Sequence, residues 1–239
     1  MPAISFANLI AHRGASAHAP ENTLAAFAMA ADLGAKWIEF DLTLSKDNVP
    51  IVWHDSSLDR CSDGRGLVYE STYAALQELD CGSWFSAQFQ GQKIATLEQV
   101  LALAEQRGLC CNIELKPPPG RNKELLAALL KSLPNKLDLI VSSFHWGILR
   151  QLREQATKIP IALLIDSLCN DWQEEAQLLQ CSSLHINQNL LNEQTLPRYL
   201  APGYPLLAYT VNQEKRGKFL LDHGVTGVFS DYPELFTTL

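Results

Sequence analysis

No stretch of the chain is apolar for the roughly 18 residues that a membrane helix needs. Met1 to Ile10 contains neither lysine nor arginine and no long apolar core ahead of a cleavage site, so neither a membrane span nor a secretory leader is expected. Positive charge is in the minority: 19 Lys and Arg against 26 Asp and Glu leave a net charge of −7. Nucleic acid and anionic membrane surfaces both want clustered cations, so neither is an expected partner. A small anion stays within reach, because a local cationic pocket or a metal can override the net sign. The six cysteines, Cys61, Cys81, Cys110, Cys111, Cys169 and Cys181, form no Cys-x-x-Cys pair. That argues against zinc or a disulfide framework and for reduced, buried thiols in a cytoplasmic protein. No Gly-x-Gly-x-x-Gly stands in a strand-to-helix turn, which leaves a doubly wound open sheet without its usual support. No long apolar stripe stands out beyond what core-facing helices need, and oligomeric state is not readable.

What the sequence does have is rhythm. Short apolar runs alternate with longer amphipathic ones over 239 residues, 47% of them apolar. Strand-like runs begin at Leu9, Trp37, Cys111, Leu139, Ile159, Leu184, Leu206 and Gly227, and predicted strands end near positions 12, 44, 115, 143, 165, 187, 211 and 230. Helical patterns fall between them, at 22–33, 96–107, 123–133, 146–156, 171–180, 192–199 and 213–222, with Gly34 and Gly108 as stops. Repeated strand–helix alternation implies a parallel sheet, and eight such units in a chain of this size match an α/β TIM (β/α)8 barrel. One segment breaks the pattern. After the extended piece at 50–54, residues 56–95 are rich in Ser, Asp, Gly and Gln, with a turn signal at Asp63-Gly64-Arg65-Gly66. They also carry Trp84, Phe85 and Phe89, too apolar for a flexible linker. The expectation is one domain over 1–239, with 56–95 as a small insertion subdomain packed over one end of the barrel.

Polar groups fall on this frame at the tips of strands. His12 and Arg13 end the first, Glu39 and Asp41 lie two apart in the second, His54 and Asp55 end the extended piece, and Glu114 and Lys116 end the third. Residues two apart on a strand share a face, and in a barrel the C-terminal strand ends form the site mouth. Three carboxylates at one mouth repel unless a cation sits among them. Glu39, Asp41 and Glu114 offer hard oxygen ligands, which suit one Mg2+ or Ca2+. Arg13 and Lys116 suit phosphate oxygens. His12 and His54 titrate near neutrality and suit an acid–base pair. Singly, each has an ordinary explanation: a solvated histidine, a structural Glu-x-Asp ion pair, a surface Glu–Lys pair. Charged tips on four neighbouring segments point instead to a metal-assisted phosphoryl site. His185, within the sixth strand, is expected to be structural, and Asn22 is expected to cap a helix N-terminus.

An ordered set of motifs resembles the glycerophosphodiester phosphodiesterase family, cytoplasmic bacterial type. It comprises Ala11-His12-Arg13-Gly14 with Pro20-Glu21-Asn22-Thr23, then Ile38-Glu39-Phe40-Asp41-Leu42, Pro50-Ile51-Val52-Trp53-His54-Asp55, and Leu58-Asp59-Arg60 with the turn at 63–66. Gly82-Ser83-Trp84-Phe85, Asn112-Ile113-Glu114-Leu115-Lys116, Ala208-Tyr209-Thr210-Val211-Asn212 and the run from Gly224 to Pro233 complete it. The resemblance implies a TIM barrel, a divalent cation on Glu39, Asp41 and Glu114, and acid–base roles for His12 and His54. It implies hydrolysis of glycerophosphodiesters, such as glycerophosphocholine and glycerophosphoethanolamine, to glycerol 3-phosphate and an alcohol, within lipid and glycerol metabolism. The glycerol 2-hydroxyl would attack phosphorus to give a cyclic phosphate, with direct water attack as the rival. Where the family often has Trp, this chain has Tyr209, which with Phe144 would form an aromatic wall of the substrate pocket. Lysophospholipase D or phospholipase C activity needs access to lipid, and a binding-only barrel would have lost a histidine or a carboxylate that this chain keeps.

Overall fold

The structure is a computed structural model, and it describes residues 5–134, 137–168 and 171–237. Cys169 lies outside the described residues. In chain order the strands and helices are β1 (Leu9–Ala11), α1 (Leu24–Asp32), β2 (Trp37–Leu44), β3 (Pro50–Val52), α2 (Tyr73–Leu76), α3 (Leu97–Arg107), β4 (Cys110–Leu115), α4 (Asn122–Ser132), β5 (Leu139–Ser143), α5 (Trp146–Gln155), β6 (Ile161–Ile165), α6 (Trp172–Leu178), β7 (Ser183–Asn187), α7 (Leu196–Leu200), β8 (Leu206–Tyr209), α8 (Glu214–Asp222) and β9 (Gly227–Ser230). Eight strands pair in parallel in the order β1-β9-β8-β7-β6-β5-β4-β2, and β1 also pairs with β2, which closes the sheet into a barrel. The predicted eight-unit α/β barrel is therefore the observed fold. The extended piece at 50–54 is not a barrel strand: β3 folds back antiparallel on the end of β2, Val52 opposite Leu42 and Pro50 opposite Leu44. No helix among the described residues is long and apolar enough to cross a membrane.

Strand alternation explains how one sequence serves two environments. Along β2, Ile38, Phe40, Leu42 and Leu44 join the large core between strands and helices, whereas Trp37 belongs to a separate cluster inside the barrel. The period of two then turns Glu39 and Asp41 toward the barrel axis with Trp37. On β4 the same logic sends Cys111, Ile113 and Leu115 outward and leaves Asn112 and Glu114 facing in. The inner cluster of Ile10, Trp37, Ile140, Ala162, Leu207 and Phe229 fills the barrel below the mouth, as the fold requires. His185 sits among these rings, 4.9 Å from Phe229 and fully buried, with Nε2 3.0 Å from Ser183 Oγ. Burial pushes its pKa down to about 3, so it stays neutral, and it is not among the residues that line the cavity at the mouth.

Several local expectations shift. Thr23, not Asn22, caps α1: its hydroxyl accepts from Ala26 N at 3.2 Å, and the helix starts at Leu24. Asn22 is instead recruited by Asp41, as described below. Thr96 and Gln99 form a reciprocal capping box on α3, which ends at Gly108 in the left-handed conformation as anticipated. β6 begins at Ile161 rather than 159, and β8 ends at Tyr209 rather than 211. The helical pattern at 192–199 condenses to α7 at 196–200, preceded by a short 3-10 turn at Gln188–Leu190. Between β3 and α3 a second small core gathers Ile51, Trp53, Leu58, Cys61, Val68, Leu76, Cys81 and Ile94. The aromatics Trp84, Phe85 and Phe89 are not in that core. They stack edge to face at 5.6 and 5.7 Å on its outside, with Trp84 exposed. The loop that bears them is ordered by Asp80, whose carboxylate accepts from the backbone N–H groups of Gly82, Ser83 and Gly91.

Candidate active site

The mouth of the barrel holds a cavity of about 260 Å³ whose walls include His12, Arg13, Glu39, His54, Asn112, Glu114, Lys116, Phe144 and Tyr209. It brings together every predicted site residue except Asp41, which lies directly behind it. Register explains the cluster: Asp41 pairs with Glu114, and Glu39 with Asn112, across the β2–β4 ladder. Glu39, Asp41 and Glu114 each place a carboxylate oxygen within 4.8 Å of the others.

The turn after β1 carries backbone strain. Arg13 has φ 54°, a left-handed conformation costly for a residue with a side chain, and Gly14 follows at φ 85°. A Cβ on Gly14 would come within 2.6 Å of the Ala26 backbone, so only glycine fits. The tight turn aims Arg13 N–H at Glu39 Oε2 (2.9 Å). The Arg13 side chain donates to Glu21 (2.8 Å) and lies 3.3 Å from Asp41 through Nε. Asn22, also left-handed at φ 59°, donates to Asp41 Oδ2 at 2.8 Å and accepts from Asp41 N at 3.3 Å. Lys116 Nζ lies 2.6 Å from Glu114 and 3.4 Å from Asp41.

The electrostatics are those of a site short of positive charge. At an effective dielectric of about 20, two carboxylates roughly 5 Å apart repel by about 3 kcal/mol. Burial raises the pKa of Glu39, and the charges of Asp41 and Glu114 raise it further. Glu114 is raised in the same way, by burial and then by Asp41. Burial would raise Asp41 too, but Arg13, Lys116 and the Asn22 amide outweigh it, and Asp41 stays ionised. Arg13 and Lys116 are held charged against burial by the same carboxylates. Glu39 Oε1 is buried with no hydrogen-bond partner. An unmet hard oxygen beside two further carboxylates is the donor set a divalent cation accepts, so the residues fit such an ion.

Each histidine is backed by a carboxylate. His12 Nδ1 meets Asp231 Oδ1 at 2.7 Å, and Asp231 is itself gripped by Ser16 Oγ (2.9 Å) and Asn212 Nδ2 (2.6 Å). His54 Nδ1 meets Asp55 Oδ1 at 2.5 Å, and Arg60 donates to Asp55 and to Glu21. A carboxylate acceptor requires the proton on Nδ1, which leaves Nε2 of each neutral ring with its lone pair free. Burial alone would raise Asp231, but His12, Asn212 and Ser16 hold it at about 2. Sequence reasoning gave Asp231 no role; its place at the tip of the last strand was the available signal. Asp55 and Arg60 carried no assigned role either, and with Glu21 they tie both histidine-bearing turns into one network.

The chain matches the Glycerophosphoryl diester phosphodiesterase family over residues 12–235. It is 35% identical to a glycerophosphodiester phosphodiesterase of Bacillus subtilis over 95% of this chain and 84% of that one. It is 34% identical to the enzyme of that name from Caldanaerobacter subterraneus, over 97% of this chain and 96% of that one. Among solved structures, an Oleispira antarctica phosphodiesterase in complex with the product sn-glycerol-3-phosphate superposes with a TM-score of 0.93 at 37% identity, covering 97% and 95% of the two chains. The chain belongs to the glycerophosphodiester phosphodiesterase family and is a phosphoric diester hydrolase.

Proposed function

We propose that the chain hydrolyses glycerophosphodiesters to glycerol 3-phosphate and an alcohol in a metal-dependent reaction, with His12 and His54 as the acid–base pair. The observation that carries this reading is the pair of carboxylate-backed histidines, His12–Asp231 and His54–Asp55, on the rim of the cavity that holds the carboxylate cluster. The product bound to the Oleispira antarctica relative supports the same substrate class here. Glu39, Asp41 and Glu114 would hold one Mg2+ or Ca2+, which when bound supplies charge to the phosphoryl oxygens and acidifies the attacking hydroxyl.

The chain's own groups do the rest. Arg13 and Lys116 face the phosphate with positive charge that the carboxylates keep in place. Nε2 of one histidine takes the proton of the attacking hydroxyl, Nε2–H of the other protonates the departing alcohol, and where the glycerol 2-hydroxyl is the nucleophile, water then opens the cyclic phosphate to glycerol 3-phosphate. Phe144 and Tyr209 exclude water from one side of the pocket. We read residues 56–95 as an insertion within a single domain, since they close their own small core yet bring Arg60 to the site. A cytoplasmic setting is supported by free thiols at Cys61, Cys81, Cys110, Cys111 and Cys181.

The test is release of glycerol 3-phosphate from glycerophosphocholine with Mg2+, with Ca2+ and with EDTA. Metal-dependent release is expected, and the better cation follows from the rates. Choline phosphate as the product would mean cleavage on the other side of phosphorus and would overturn the reading.

A further inference from the structure

A second cavity, of about 200 Å³, adjoins the catalytic one and is lined by Phe144, Trp146, Leu164, Ile165, Asp166 and Ser167. Phe144 and Leu164 line both, so the two spaces share a wall. That wall is braced. Trp146 Nε1 donates to Leu164 O at 3.1 Å, which fixes the indole across the tips of β5 and β6. The Phe144 ring stands edge-on to Tyr209 at 5.8 Å, and the Tyr209 hydroxyl donates to Ile165 O at 2.8 Å.

The second cavity lacks the cations that the first has in Arg13 and Lys116. Among the described residues no lysine or arginine lines it, and the one ionisable group there is Asp166, exposed and without an ion-pair partner. On the catalytic side, Lys116 Nζ lies 5.8 Å from the centre of the Phe144 ring, so this aromatic wall already receives a cation. The catalytic cavity, with Arg13 and Lys116 among its walls, thus lies side by side with an aromatic one that carries a carboxylate. A zwitterionic diester has the same order of charges, phosphate first and ammonium next. Aromatic faces beside a single carboxylate favour a weakly hydrated, methylated ammonium over a primary one, which keeps its water and its hydrogen bonds.

Resting on the proposed diester hydrolysis, we infer that the cavity between Phe144, Trp146 and Asp166 is the head-group subsite and takes an alcohol bearing a quaternary ammonium, such as choline. The alternative is that Asp166 is a solvated loop carboxylate and the aromatics merely cover the barrel rim.

The two are separated by comparing glycerophosphocholine, glycerophosphoethanolamine and glycerophosphoglycerol as substrates of wild type, Asp166→Asn, Trp146→Leu and Trp146→Phe. In wild type kcat/KM should be highest for the choline diester. Asp166→Asn and Trp146→Leu should each lower the choline-to-glycerol ratio of kcat/KM by roughly three- to tenfold, with Trp146→Phe restoring most of it. Equal kcat/KM for the three diesters in wild type, or a ratio that none of the variants moves, would overturn the subsite while leaving the hydrolytic reading intact. Equilibrium binding of choline chloride, against a matched sodium chloride control, decides the matter apart from turnover. Saturable binding that Asp166→Asn weakens supports the subsite even if no diester is hydrolysed, an outcome that would sink the hydrolytic reading alone. Absence of saturable binding in wild type counts against the subsite.

Discussion

The two sides of the barrel mouth are built differently. On the side of β1, β2 and β4, the strand tips carry His12, Arg13, Glu39, Asp41, Glu114 and Lys116, cross-linked by ion pairs of 2.6 to 3.4 Å. On the side of β5, β6 and β8 the tips carry Phe144, Leu164 and Tyr209, and the polar atoms there are spent on bracing the wall. Both sets of strands pair in parallel and bury an outward core; the difference lies in the last inward residues of each. In the proposed mechanism one side moves protons and holds charge, and the other shapes what binds beside it. The same split appears in the energetics. Buried charges need partners at close range, so the first side is a dense network. Apolar walls need only area, so the second tolerates an aromatic in place of an aromatic, as with Tyr209.

The sharpest break of this comparison is on the charged side. His12→Ala or His54→Ala should lower kcat by about 10²–10⁴-fold, with circular dichroism unchanged. A double variant that kept wild-type turnover would remove both residues from the mechanism. Next in size is Asp231→Asn, which leaves the shape but weakens the hold on His12 Nδ1. It should cost about 10–100-fold in kcat and move the pH profile, as loss of a ligand-orienting partner typically does. An effect confined to thermal stability would make Asp231 a loop fastener for Ser16 and Asn212.

A third test uses pH. Burial lowers the pKa of His54, and Arg13 and Lys116 push the same way, with Asp41 and Asp55 opposing them. A lowered pKa keeps the ring unprotonated to more acidic pH, so a reaction needing neutral His54 is lost only as pH falls through that lowered value. The acid limb of kcat/KM should therefore lie below about 6.5, and a limb above it would exclude His54 as the base. The smallest effect is expected on the apolar side. Tyr209→Phe keeps the ring and loses the bond to Ile165 O, which should cost about 1 kcal/mol in a denaturant titration and change KM more than kcat. If it instead cut kcat as deeply as His12→Ala, the division between the two sides would not hold.

Much of this was legible in the sequence, because strand periodicity is local. Alternation along Trp37–Leu44 and Cys110–Leu115 is enough to say which residues face the barrel axis, and the count of strand–helix units is enough for the barrel. Charged tips on an otherwise apolar frame then mark the mouth. Partners were not legible, because they meet only when β1 closes against β9 and β2. Asp231 stands 219 positions from His12, and nothing local to either announces the other. Asn22 reads as a cap by its neighbours, yet Asp41 claims it in space and Thr23 takes the cap. Trp84, Phe85 and Phe89 mark their segment as more than a flexible linker, yet the small core around Trp53 forms without them. The sequence by itself determined the fold, the face of each strand and the type of chemistry at the tips. Only tertiary structure decided which nitrogen of each histidine is free, which carboxylates are left short of positive charge, and what kind of cavity lies next door. Periodicity encodes direction along one chain segment, whereas hydrogen bonds and fields depend on distances between segments that the chain reaches only once it is folded.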